Sequence, residues 1–212
     1  MPSITTRRAV HAAERRAEIQ ARILTAVETL LAGGERFTDL GVQRIIEEAG
    51  IANSTFYMHF RDKTEVLLRL TEKLKTTSYG KVTGWEPESA DPFQTMVEIL
   101  HDVIRMYREQ AHLLRAVLEV AAYDEAVRDF WNDELERHLV LGRRFLETAQ
   151  RDGTTSADVR IDTAVRVFVH GGIQAIAHHI ATGDPADDAA VAREIAEIQW
   201  FGAFRRPSRR DQ

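Results

Sequence analysis

Between Asn53 and Lys63 the chain places an amide, two hydroxyls, a phenol, an imidazole and an ammonium close together, at Asn53, Ser54, Thr55, Tyr57, His59 and Lys63. Phe56 and Phe60 stand four apart among them, so on a helix they share one face and leave the polar groups to the others. Such groups hydrogen-bond base edges and phosphate oxygens. They do not form a nucleophile with its base, and no glycine-rich phosphate loop, nucleophile elbow or His-Glu-x-x-His run occurs elsewhere.

A second constellation points to other chemistry. Glu98-x-x-His101 and Glu109-x-x-His112 repeat the spacing with which di-iron bundle proteins hold metal. On one continuous helix the two motifs return to nearly the same face but lie roughly 16 Å apart along the axis, too far to share a metal pair. If Gln110 ends the first helix they could converge, yet partner glutamates do not stand out. A helical-bundle metalloenzyme using Glu98/His101 and Glu109/His112 is therefore the alternative reading, and a solvated helix face the simpler one. His178-His179 also lacks partner ligands, and no metal or other cofactor is expected.

To present the first set, a short helix must be held by others, and the flanking sequence supplies them. From Ala13 to Leu31, the residues Ile19, Ile23, Leu24, Val27, Leu30 and Leu31 recur at helical spacing until Gly33-Gly34 stops the run. A short helix from Val42 to Ala49 turns Ile45 and Ile46 inward, starts at Gly41 and breaks at Gly50. Asn53 or Ser54 can cap the next one, which runs to about Phe60. Asp62 opens a longer helix, with Glu65 three residues on and Val66, Leu67 and Leu70 on its buried side. Two short helices joined at Gly50-Ile51-Ala52 have helix-turn-helix form.

The stretch from Thr76 to Pro92, with Gly80, Gly84, Pro87 and Pro92, reads as a boundary. Beyond it, helices are predicted at about Phe93 to Glu109, Ala111 to Ala122, Glu125 to Arg151, Ile161 to Thr182 and Pro185 to Phe204, with a frayed tail. The predicted fold class is all-α: a three-helix domain containing the helix-turn-helix, with a basic N-terminal extension, over residues 1–75, then a helical bundle over 76–212.

Composition agrees. At 44% hydrophobic and 29% charged the chain can build a core, and no run of apolar residues is long enough to span a membrane. The first 22 residues lack the apolar segment of a secretion signal, and there are no cysteines, so a cytoplasmic location is expected. The net charge of -5 hides an asymmetry. Residues 1–75 carry 12 Lys and Arg against 10 Asp and Glu, while the remainder carries 16 against 23. A basic front on an acidic body suits a protein that meets phosphate with one part only.

The run Ile51-Ala52-Asn53-Ser54-Thr55-Phe56-Tyr57-Met58-His59-Phe60-Arg61-Asp62-Lys63 resembles the recognition-helix signature of the TetR family of bacterial repressors. The likeness extends back through Ile45-Ile46-Glu47-Glu48-Ala49-Gly50 to the first helix and on through Val66-Leu67, covering roughly Ala17 to Leu74. It implies that Tyr57 and His59 meet the DNA backbone or a base, and that Thr55 lies at a base edge or phosphate. Asn53 and Ser54 would begin the groove-facing helix, and Lys63 would meet a phosphate at a helix N-terminus. Where the family usually has Thr or Ser to cap the second helix, this chain has Gly41, and Gln43 or Arg44 could compensate. The segment from Thr5 to Arg16, with Arg7 and Arg8, is similar to basic extensions that reach flanking DNA.

The same resemblance implies that the second half binds an effector and dimerises, so double-stranded operator DNA, a small-molecule effector and a second copy of the chain are the expected partners. A stripe of Val165, Phe168, Val169, Gly172, Ile173, Ile176 and Ile180, with Val191, Ile195, Ile198 and Phe201 on the last helix, reads as the dimer interface. Leu100, Tyr107, Leu114, Leu118, Tyr123, Trp131, Leu135, His138 and Phe145 are candidates to line a pocket for an apolar ligand, which Trp85 could cover.

Overall fold

The computed structural model describes residues 4–85 and 90–208, with side chains throughout except at 4–9, 73 and 75. Pro87, expected in the boundary, and the last four residues of the tail lie outside the described residues, as do the side chains of Arg7 and Arg8. Within these limits the chain is helices and turns, with no strand among the described residues.

The first helix, α1, spans Ile4–Ala32 and starts well before the apolar stripe that announces it. Its early turns are rich in Ala and Arg, strong helix formers, and residues 10–18 are all exposed. Periodicity finds only the part that touches the core. Helix α2 spans Val42–Ala49, α3 Asn53–His59 and α4 Lys63–Val82. Gly50, between α2 and α3, sits at φ 62, a left-handed conformation that a side chain would strain. Its N–H and that of Ile51 return to Ile46 and Glu47, closing the end of α2. Arg22 of α1 donates to the carbonyls of Ala49 (2.7 Å) and Gly50 (2.9 Å), fixing that turn against the first helix.

Helix α4 crosses the boundary expected at residue 76. It continues because its later turns have something to bury: Thr71, Leu74 and Ser78 are all buried, and the helix packs against α5, α6 and α7. Asp62 caps it by accepting from the Glu65 N–H (2.9 Å), while Glu65 accepts from the Arg61 N–H (2.8 Å).

The remaining helices are α5 (Pro92–Glu109), α6 (Ala111–Ala121), α7 (Glu125–Arg151), α8 (Ile161–Thr182) and α9 (Asp188–Gln199). A 3-10 turn over Pro185–Asp187 leads into α9 and a π-helical turn over Trp200–Phe204 ends it, so the last predicted helix is three pieces. One apolar core runs from Ile23, Phe37, Ile45, Phe56 and Leu67 into Ile104, Val117 and Trp131; a second joins Trp85, Met96, Leu146, Val165 and Phe204. Glycine at 142 lets α7 approach α8, since a Cβ there would lie 3.1 Å from both Phe168 Cζ and Val165 Cγ1. At the far end, Arg108 of α5 holds Asp188 of α9 with both its Nε and Nη2 (2.6–3.1 Å), and His179 Nε2 meets the same carboxylate at 2.8 Å.

Candidate nucleic-acid interface and internal cavity

Helix α3 is anchored on one side and bare on the other. Phe56 is fully buried and Phe60 nearly so, with their rings 6.2 Å apart. Tyr57 is 54% exposed and Met58 67%, large surfaces for a helix of seven residues. Asn53 and Ser54 are exposed, and Thr55 and His59 are half-buried. The N-cap is Ala52 and makes no side-chain bond, so the amide and hydroxyl expected to cap the helix belong instead to its first turn. His59 Nδ1 is buried without a hydrogen-bond partner. The exposed face therefore collects Asn53, Ser54, Tyr57 and Met58. Residue type alone does not assign Met58 to this polar face, because its side chain offers no strong hydrogen bond; its exposure does.

On α2, Gln43 and Arg44 are exposed. Gln43 donates to Glu47 (2.9 Å), and Arg44 pairs with Glu35 (3.3 Å) and Glu48 (3.2 Å). Gly41 caps α2 with no side-chain bond, as its lack of a side chain requires.

Lys63 has a different occupation from the one expected. Its Nζ donates to the carbonyls of Phe37 (2.8 Å), Thr38 (3.1 Å) and Leu40 (2.8 Å) and lies 4.9 Å from the Phe37 ring centroid. Burial lowers its pKa, with Asp39 and Glu119 pulling the other way. The ammonium thus ties the start of α4 to the loop between α1 and α2. The same loop is held from the second half of the chain, where Glu119 of α6 accepts from the Thr38 hydroxyl and from Arg36. These bonds hold the Glu119 carboxyl below its ordinary range against the opposing effect of burial.

In the second half of the molecule, helices α4, α5, α7, α8 and α9 line a partly open apolar cavity of about 140 Å³. Leu100, Tyr107, Trp131, Leu135, His138 and Phe145 line it, as the sequence leads one to expect. Leu114, Leu118 and Tyr123 do not: Leu114 is buried elsewhere in the core, Leu118 packs against that core, and Tyr123 is 60% exposed beyond the end of α6. Helix α6 packs against α1 and α4 as well as α7, which turns those leucines away. Trp85 is a wall residue rather than an exposed cover, donating to the Pro92 carbonyl (2.8 Å) and meeting Phe145 edge-on.

Much of the stripe assigned to dimerisation also faces inward. Val165, Ile173, Ile176 and Ile195 are buried in the cores, and Phe168, Val169 and Gly172 join Ile173 and Ile176 in the cavity wall. Ile180 and Val191 are half-buried; Ile198 is 69% exposed. Helix α8 is apolar on two faces, and the longer stripe is the inner one. Its outer face carries Val167, 68% exposed, with Gly171 and Ala175, while Phe201, 62% exposed, follows Ile198 at the end of α9.

The Glu-x-x-His motifs do not converge on a metal. The chain breaks at Gln110 as one reading required, but His112 Nε2 faces Glu28 of α1 at 3.9 Å, and Glu98 accepts from Gln94. Among the described residues, no group of three or more His, Cys, Asp or Glu is placed to hold a metal ion, and no helix is long and apolar enough to cross a membrane.

Comparison with known proteins agrees with this geometry. Residues 31–70 match the sequence model of the bacterial regulatory proteins of the tetR family. The HTH-type transcriptional regulator EthR of Mycolicibacterium smegmatis is 25% identical over 140 residues, which is 66% of this chain and 64% of that protein, just under two thirds of its length. Among solved structures, GusR of Salmonella enterica superposes with a TM-score of 0.67 at 18% identity, over 86% of this chain and 94% of its own. SmeT, described as the repressor of a Stenotrophomonas maltophilia multidrug efflux pump, gives 0.66 at 15% identity, over 87% and 89%.

Proposed function

The chain belongs to the TetR family of bacterial transcriptional regulators, and from that footing we propose that it is a ligand-responsive repressor, binding a palindromic operator as a homodimer. The observation that carries the reading is α3: a helix held from behind by Phe56 and Phe60 that offers Asn53, Ser54, Tyr57 and Met58 to solvent. In a major groove these residues would meet base edges, and Tyr57 and Thr55 the flanking backbone. Gln43, Arg44 and His59 stand at the margins of this surface. Lys63 acts in the proposal by holding the reading head in shape.

A second copy supplies the second reading head. The outer face of α8 and the end of α9, with Val167, Ile198 and Phe201 exposed, are suited to a twofold helical interface. The cavity is the site of the effector. Helix α4 connects the two functions: it begins at Lys63 beside α3, and Ser78 and Val82 near its end line the cavity, about 30 Å along the axis from first residue to last. A ligand that repositions the end of α4 moves the reading head at its start. Only different affinities of the ligand for the DNA-bound and free states can drive this, so ligand and DNA must each weaken the other's binding.

Fluorescence anisotropy with duplex DNA at rising salt tests the reading. Affinity should fall steeply with salt, as expected where cationic groups neutralise phosphates. Absence of duplex binding at low salt would overturn it.

A further inference from the structure

The loop between α1 and α2 is held from two sides. From α4, Lys63 captures three of its carbonyls. From α6, the Glu119 carboxylate accepts from the Thr38 hydroxyl and from Arg36 Nη2 (3.2 Å), both on Oε1. One turn earlier on α6, Arg115 donates to the Leu31 carbonyl near the end of α1 (3.4 Å). The α6 contacts join residues 81 to 84 apart in sequence and cross from one half of the molecule to the other.

Exposure and distance rank these contacts. The Arg36 side chain is 65% exposed, so its ion pair is screened by solvent and contributes little. The Arg115 bond is long for an N–H donor. The Glu119 side chain is only 19% exposed and Thr38 is half-buried, so solvent does least to weaken the bond between them. Of the groups that hold the Glu119 carboxyl below its ordinary range, Thr38 acts most strongly. Helix α6 also stands apart from the cavity: none of its residues is in the wall, whereas α4 contributes Ser78 and Val82. Any movement of α4 relative to α6 therefore acts on the loop, between Lys63 and Glu119. The loop runs directly into α2, which with α1 packs against α3.

We propose that Glu119 is a positioning residue for DNA reading: acting through the Thr38 hydroxyl, it fixes the loop, and with it the start of α2, against the second half of the molecule. The inference rests on the reading of α3 as the helix that meets DNA. Glu119 itself touches no base or phosphate in this account; it acts only through the loop.

The full chain is compared with Thr38→Val, Thr38→Ser, Glu119→Met and the double variant Thr38→Val, Glu119→Met. Hydrogen exchange reads the hold on the loop without DNA. The Asp39 and Leu40 N–H groups, each bonded to the Arg36 carbonyl (3.1 Å), should exchange about ten- to a hundredfold faster in Thr38→Val and Glu119→Met, as the loss of one hydrogen bond to a charged group implies. Amides of α7 should exchange as in the parent. Fluorescence anisotropy then uses a duplex that the parent enriches from a random pool. Those two variants should bind it about two- to thirtyfold more weakly, the range over which residues that touch neither ligand modulate coupling, with the salt slope unchanged. Thr38→Ser keeps the hydroxyl and should bind like the parent. The double variant should bind like Glu119→Met, because both changes remove the same bond. Thr38→Val keeps the shape of the side chain, so the test stays open should Glu119→Met fail to fold. Additive losses would give Thr38 a DNA contact of its own and overturn the assignment. So would a Thr38→Ser variant as weak as Thr38→Val, loop amides that exchange as in the parent, or parent-like affinity in both variants. A parent that enriches no duplex would instead overturn the DNA-reading role of α3, and loop exchange would still decide whether Glu119 holds the loop.

Discussion

Replacing Lys63 by methionine separates two roles that the residue could have. The structure gives its ammonium three carbonyl partners at 2.8, 3.1 and 2.8 Å, all on the loop between α1 and α2. Methionine keeps most of the stem and removes every donor. Hydrogen bonds to charged groups contribute about 1.5–3 kcal/mol net. Three of them share one half-buried charge, so their sum is held near the value of a single strong one, about 2 kcal/mol, rather than three times that. For a chain of 212 residues a loss of 1 kcal/mol lowers Tm by about 2–4 °C, so a drop of about 4–8 °C is expected. Circular dichroism melting measures this, and duplex binding as a function of salt measures the other role. If Lys63 neutralised a phosphate, its removal would reduce the salt slope by about one. A clamp on the loop leaves that slope unchanged, even where a loosened reading head weakens binding. A variant that melts within about 1 °C of the parent while the slope falls by about one would refute the reasoning and return Lys63 to the DNA.

Other substitutions test the remaining parts. Phe56→Ala should cost about 3–5 kcal/mol in denaturant unfolding because its ring is fully buried, whereas Tyr57→Ala should change stability by less than about 0.5 kcal/mol and weaken duplex binding; equal effects on stability would contradict the division of α3 into two faces. Gly142→Val should destabilise by about 1–3 kcal/mol, since even a Cβ there is tight against Phe168 and Val165, and should weaken cavity ligands; a fully stable variant would show that α7 and α8 do not approach so closely. Asp188→Asn should cost about 2–3 kcal/mol near neutral pH, as it removes the negative charge that Arg108 and His179 share and turns one of the two acceptor oxygens into a donor. The Arg108 hydrogen bond, joined by His179, holds the Asp188 carboxyl below its ordinary range despite burial, so its contribution is full above that range and lost as pH falls through the lowered value. The gap between parent and variant in urea titrations should accordingly close at acid pH, and a gap independent of pH would exclude the ionic account.

The exposed face of α3 is largely legible in the sequence because Phe56 and Phe60, spaced one turn apart, decide which face is buried, and the rest of α3 follows. Gly50 marks the turn for the same local reason. What escapes is non-local. The carbonyls that capture Lys63 lie in a loop more than twenty residues away, and no spacing rule connects them. On α8 the apolar stripe through Val165, Ile173 and Ile176 is visible, but periodicity cannot say whether a stripe meets the same chain or another. Here Ile173 and Ile176 line the cavity. Likewise α4 runs past Gly80 because Ser78 and Val82 find partners in the second half of the molecule, which outweighs the propensity that points to a break.

Selection of duplexes from a random pool by the full-length chain tests the DNA-reading role of α3 most directly. Recovered sequences should contain two inverted half-sites whose centres lie about one helical turn apart, and the double variant Tyr57→Ala, Met58→Ala should recover none while melting close to the parent. A pool that shows no enrichment, or the same enriched sequences with that variant, would contradict it.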